Sequence, residues 1–201
     1  MGKELEYKLL IDHEETLLLI LSDPKINALT TSAWQATKMK TTYYDTPNRH
    51  FSTHRFTLRQ RFEGDESVVC LKTPLKESHA RGEWQISAER IDEEAIAQLI
   101  ACGAPTELLA FYAGGKIEPI CGAEFLRRHA RLQFPDGSSC EIAGDCGILH
   151  GQIEKIRFVE LELELLAGEK DQMVALVSEL CEKYHLQEQP MSKFARAKTL
   201  K

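Results

Sequence analysis

Apolar and polar residues alternate one by one along much of the chain, the period of a strand with one buried face. Eight segments carry this pattern: 4–11, 40–45, 56–62, 67–73, 82–90, 127–134, 139–143 and 157–166. Asp136-Gly137 falls between two of them and predicts a hairpin turn, because glycine tolerates the positive φ needed there. Three stretches keep the helical period instead. Asp12 is placed to cap a helix running to Leu21 and stopped by Asp23-Pro24. Asp92 is placed to cap a second, running to Cys102 before Gly103 and Pro105. The third spans 169–184, where Met173, Leu176, Val177, Leu180 and Cys181 form one apolar stripe. No repeat or Pro/Gly/Ser linker divides the chain, so residues 1–201 are expected to form one domain. Many strands with few helices predict an α+β fold, mainly antiparallel β.

The polar faces of the predicted strands are charged, and the charges are in phase. Glu4, Glu6 and Lys8 share one face of the first strand, and Leu5, Tyr7 and Leu9 the other. Arg59 and Arg61 share a face; so do Arg81, Glu83 and Gln85; so do Arg127, His129 and Arg131. Glu160, Glu162 and Glu164 stand in a row opposite Leu161, Leu163 and Leu165. A solvated outer face accounts for any one such strand. For the set it is a poorer account, because adjacent glutamates repel unless cations lie between them. If the sheet closes, these faces line a single lumen carrying both signs, and the apolar faces need helices as an outer cover. Clustered Lys and Arg suit a compact polyanion, and clustered carboxylates suit hard divalent cations. A polyphosphate chelated to Mg²⁺ or Mn²⁺ satisfies both.

Composition narrows the setting. The 201 residues hold 25 Lys+Arg against 31 Asp+Glu, a formal net charge of −6, which disfavours a broad nucleic-acid or anionic-membrane surface. The longest apolar run, 17–21, is far too short to cross a bilayer, and the N-terminus has no signal-peptide apolar region. The six cysteines show neither C-x-x-C nor zinc spacing and are expected as free thiols of a cytoplasmic protein.

Several motifs together resemble the CYTH superfamily, the triphosphate tunnel metalloenzymes. Glu4-Leu5-Glu6-Tyr7-Lys8 matches its E-x-E-x-K signature, and Tyr43-Tyr44-Asp45-Thr46-Pro47 resembles its Y-[YF]-D-T-P segment. Leu58-Arg59-Gln60-Arg61, Leu71-Lys72, Arg81-Gly82-Glu83-Trp84, the Glu160–Glu164 strand and Ser192-Lys193 follow in the family's order. The resemblance implies an eight-stranded closed β-barrel forming a tunnel, with helices packed outside. It implies that Arg59, Arg61, Lys72, Arg81, Arg127 and Lys193 grip the phosphates of a small-molecule triphosphate. It assigns Mg²⁺ or Mn²⁺ to Glu4, Glu6, Glu162 and Glu164, with Glu160 and Asp145 as further candidates. Lys8 and Tyr43 resemble a pair that activates the attacking water. The chain departs from the pattern at His129, where many relatives carry a second basic residue; His129 is retained as a candidate phosphate ligand. Glu141, in phase with Asp145, is a candidate for the lumen, and Arg196 for the tunnel mouth or an ordinary surface position. Gly114-Gly115-Lys116 lacks P-loop spacing and reads as a turn. The branch most resembled consists of inorganic triphosphatases. Thiamine triphosphatase comes second, class IV adenylate cyclase third, and a non-catalytic polyphosphate- or nucleotide-binding module is the alternative of another class. The resemblance leaves a homodimer open.

Overall fold

In a computed structural model, which describes residues 2–74, 80–112 and 116–200, every alternating segment forms a strand. The elements in chain order are β1 (Gly2–Leu10), α1 (Glu14–Leu21), α2 (Pro24–Leu29), β2 (Gln35–Asp45), α3 (His50–Thr53), β3 (Thr57–Glu63), β4 (Glu66–Pro74) and β5 (Ala80–Ser87). They continue as α4 (Glu93–Ala101), α5 (Glu107–Tyr112), β6 (Glu118–Gln133), β7 (Ser139–His150), β8 (Lys155–Ala167), α6 (Asp171–Tyr184), β9 (Gln187–Glu188) and α7 (Lys193–Thr199). Among the described residues the fold is therefore α+β, with nine strands in one antiparallel sheet and seven helices.

The strand order is β5-β4-β3-β2-β6-β7-β8-β1-β9. β1 lies along β8, placing Glu6 opposite Glu164 and Lys8 opposite Glu162. Its first residues, Gly2–Leu5, also pair with Ala80–Glu83 of β5. The Asp136-Gly137 turn joins β6 and β7 as expected, with Gly137 at φ +86°.

The apolar faces of the strands are covered from outside in two patches. Over β1, β7 and β8, Leu9, Ile142, Leu161 and Leu163 pack against Leu17 and Ile20 of α1 and Met173, Leu176 and Leu180 of α6. Gly144 makes room for α1, since a Cβ there would come within 2.9 Å of Leu17 Cδ1. Over β3, β4 and β5, Leu58, Val69, Leu71 and Trp84 pack against Phe51, Ile96, Leu99 and Leu108. Burying each such aliphatic side chain contributes about 1.5–3 kcal/mol. A third cluster lies on the opposite, charged face: Met39, Tyr43, Phe125 and Phe158 bury Ala197 and Phe194 of α7. The last helix is thus seated on the polar face of the sheet.

Some boundaries differ from the sequence reading. Asp12 does not cap α1; the N-cap is His13, without a side-chain hydrogen bond. Asp23-Pro24 ends α1 and also starts α2, with Asp23 accepting from Lys25 N at 2.8 Å. Asp92 caps α4 as expected, accepting from Ala95 N at 3.0 Å. β6 starts nine residues before the predicted Arg127 because Ile120, Cys121 and Ala123 are all buried, which erases the alternation there. Among the described residues no helix is long and apolar enough to cross a membrane, and all six cysteines are free. Gly114 and Gly115 lie outside the described residues.

Candidate active site

Because side chains alternate along a strand, the in-phase charges of β1 to β8 converge. They line one cavity of about 310 Å³, to which each of these strands contributes along with the start of α7. Glu6, Lys8, Tyr43, Arg59, Arg61, Lys72, Arg127, His129, Glu162, Glu164 and Lys193 all lie on its wall. Glu63, Glu83 and Glu141 lie there too. The side chains of Glu4 and Arg81 lie outside the described part, though their backbones pair with each other across β1 and β5.

The basic side of the wall comes from β3 and β4. Arg59 and Arg61 project together because they are two residues apart, and Lys72 stands on the neighbouring strand. Glu83 of β5 holds two of these cations, at 3.5 Å from Arg59 Nη2 and 3.5 Å from Lys72 Nζ. It also accepts from Cys70 Sγ at 3.0 Å. Burial raises the Glu83 pKa, but Lys72 and Arg59 outweigh it and bring it down to about 2. Burial, with Arg59 adding repulsion, lowers the Arg61 pKa despite Glu63 alongside it. Arg61 Nε is moreover buried without a hydrogen-bond partner. Three cationic side chains thus stand together on this part of the wall.

The acidic side comes from β7, β8 and β1. Glu6 accepts from Lys8, two residues on. Burial and nearby Glu162 raise the Glu6 pKa, but Lys8 and Lys72 prevail and lower it. Glu162 lies between two cations, accepting from Lys193 Nζ at 2.9 Å and from Arg127 Nη2. Burial opposes its charge, yet Lys193 and Arg127 hold it well below the usual carboxylate range.

Behind this wall the structure places Asp145 and Glu160, both fully buried. Arg127 makes a two-pronged contact with Asp145 at 2.8 and 2.7 Å. Lys193 Nζ lies 2.7 Å from Asp145 Oδ2 and also contacts Glu160. Arg196, which the sequence left between tunnel mouth and surface, reaches inward to Glu160. Oxygen atoms of Asp145, Glu160 and Glu162 come within 4.8 Å of one another, a group that could hold a metal ion. Here three cationic side chains stand against them, with Lys193 in contact with all three. Ser192 makes this possible by capping α7 through Ala195 N at 3.1 Å, so that Lys193 enters the cavity at the first helical position.

His129 Nδ1 lies 3.1 Å from Glu141 Oε2, both on the cavity wall. Lys8 and Tyr43 share the cavity, but among the described residues no hydrogen bond joins them; Lys8 turns to Glu6, and the Tyr43 ring packs 5.0 Å from that of Phe194. The residues that the sequence reading left without a role were Glu63 and Glu83. The phase of Glu83 with Arg81 and Gln85 carried the signal.

An antiparallel sheet that gathers both signs of charge around one polar cavity defines a class, and the comparisons agree. The CYTH domain family matches residues 2–197, and the chain belongs to that family. Among solved structures it is similar to an adenylyl-cyclase candidate from Hippeastrum with a dominant triphosphatase activity, at TM-score 0.60 and 16% identity over 98% of this chain and 96% of that one. It is similar to a Pyrococcus horikoshii protein at TM-score 0.58 and 17% identity, covering 96% and 97%. It is also similar to a Bacillus halodurans adenylate-cyclase candidate at 0.57 and 16%, covering 96% of both. At these identities the likeness concerns the fold.

Proposed function

We propose that the chain is a metal-dependent hydrolase of a triphosphate, with inorganic tripolyphosphate cleaved to pyrophosphate and phosphate. The observation that carries this reading is the cluster of Arg59, Arg61 and Lys72 on one wall of a single cavity that also holds Glu6, Glu162 and Glu164. Contributions from β1 to β8 to a single cavity, together with the β1–β5 pairing, support reading the sheet as an eight-stranded barrel around a tunnel.

Arg59, Arg61 and Lys72 would bind the phosphates, Arg by bidentate contacts and Lys as a point charge. Arg127 and Lys193 would be released in part from Glu162 as the polyanion enters. Carboxylate oxygens of Glu6, Glu162 and Glu164 suit Mg²⁺ or Mn²⁺, and a bound ion would neutralise charge on the transferred phosphoryl group. Asp145 and Glu160 are committed to Arg127, Lys193 and Arg196, so their role in this reading is to hold α7 and its lysine at the site.

Size and lining favour a substrate without a base. At about 310 Å³ the cavity is at the small end for ligand sites. Of its apolar members, Met39, Tyr43 and Phe125 are buried in the cluster under α7, and the partly buried Phe194 packs its ring against Tyr43, 5.0 Å between centroids. The test compares initial rates on tripolyphosphate, thiamine triphosphate and ATP with Mg²⁺ and with Mn²⁺, with cyclic AMP measured in parallel. Tripolyphosphate is expected to be turned over fastest. Cyclic AMP as the main product of ATP would make the chain a cyclase; binding without turnover would make it a non-catalytic module.

A further inference from the structure

Hydrolysis needs a group that takes a proton from the attacking water, and most ionisable groups of this cavity are already engaged. Lys8 is bound to Glu6. Glu83 is held between Arg59 and Lys72, and Glu162 between Arg127 and Lys193. A carboxylate in such pairs is a poor proton acceptor, because its cations favour the charged form. Tyr43 is buried against Phe194.

His129 is in a different position. Its Nδ1 lies against the Glu141 carboxylate at 3.1 Å, and both side chains are only partly buried on the cavity wall. Donating Nδ1–H to Glu141 leaves Nε2 as the acceptor nitrogen, the arrangement by which a carboxylate orients a histidine base. His129 is two residues beyond Arg127 on the same face of β6, about 7 Å along the strand. A phosphoryl group in the cavity would therefore meet Arg127 and His129 on the same strand face. The charged groups around it are Arg127 and Arg131 on its own strand and Glu141 on β7. Beyond Ala143 lies Glu162 of β8; on β2 its partner is the uncharged Gln35, and Arg61 and Glu63 of β3, opposite Thr41 and Met39, line the same cavity.

We propose that His129 is the general base of the reaction and Glu141 its positioning residue, in an assignment that rests on the hydrolase reading above. His129 Nε2 takes a proton from water as its oxygen forms a bond to the terminal phosphorus. The bridging P–O bond breaks with its electron pair going to the departing pyrophosphate, and the imidazolium then returns its proton to solvent.

The test measures pH–rate profiles of wild type, His129→Ala and Glu141→Gln on whichever triphosphate the wild type hydrolyses. His129→Ala should lose about 10²–10³-fold in kcat with KM changed little. It should also lose the acidic limb of the wild-type profile, and added imidazole should restore part of the rate. Glu141→Gln should lower kcat with KM changed little, and Glu141→Asp, which keeps the carboxylate, should retain most of the rate. An unchanged kcat in His129→Ala would overturn the assignment. So would a raised KM with a wild-type rate that falls as pH rises, the behaviour of a protonated phosphate ligand. A wild type inert towards every triphosphate would instead overturn the hydrolase reading, and the base with it.

Discussion

Replacing Glu162 with glutamine is expected to lower triphosphate turnover by on the order of 10³-fold while the protein stays folded. Glu162 lies on the cavity wall and contacts both Arg127 and Lys193. Glutamine keeps the shape and one acceptor oxygen but removes the charge that these cations balance and that a divalent ion would need. Asp145 still engages both cations, so no buried charge is left wholly unpaired. That is why the effect should fall on rate far more than on folding. Circular dichroism and initial rates on the same preparation check this. Wild-type turnover in the variant would show that the acidic wall has no part in the reaction.

The second large effect concerns Lys193, and here stability should change most. Its ammonium is the shared partner of Asp145, Glu160 and Glu162. Burial disfavours its charge, but the three carboxylates prevail and raise its pKa above the ordinary lysine value. Lys193→Met removes this cation, and with it the ammonium's contacts over the Phe125 and Phe158 rings, while keeping an unbranched apolar side chain. Breaking a buried ionic cluster by deleting one partner costs about 3–5 kcal/mol, so the melting temperature should drop by on the order of 10 °C. Added Mg²⁺ should then stabilise the variant more than the wild type, since oxygens of the three carboxylates lie within 4.8 Å of one another. Thermal melts with and without Mg²⁺ measure both. A melting temperature within about 2 °C of wild type would contradict the view that this cluster anchors α7.

How much was legible in the sequence follows from the range of each interaction. Strand phasing is local, so the in-phase residues Arg59 with Arg61 and Glu160 with Glu162 and Glu164 could be read directly. The Glu6–Lys8 pair, two residues apart, is of the same kind. Partner choice between distant strands could not be read. Nothing near Lys193 indicates that its ammonium meets Asp145, 48 residues away, or that Arg196 turns inward to Glu160. α7 itself was missed for a related reason. It is short, its apolar contacts are Phe194 and Ala197, and much of its anchorage is ionic. The Ser192 cap was the local trace. Likewise the early part of β6 lost its alternation because both faces are covered there. His129 was noticed as a departure from a pattern of paired basic residues, but only the contact with Glu141 gave the departure a chemical meaning.

The net charge of −6 averages over a cationic corner and an acidic wall that face each other. The central claim is that this cavity binds a triphosphate through that corner, and calorimetric titration with tripolyphosphate tests it most directly. Wild type should bind one equivalent, with an affinity that falls as salt is raised, and the Arg59→Ala/Arg61→Ala double variant should bind at least about 100-fold more weakly. Equal affinity in wild type and double variant, or no binding by wild type, would contradict the account.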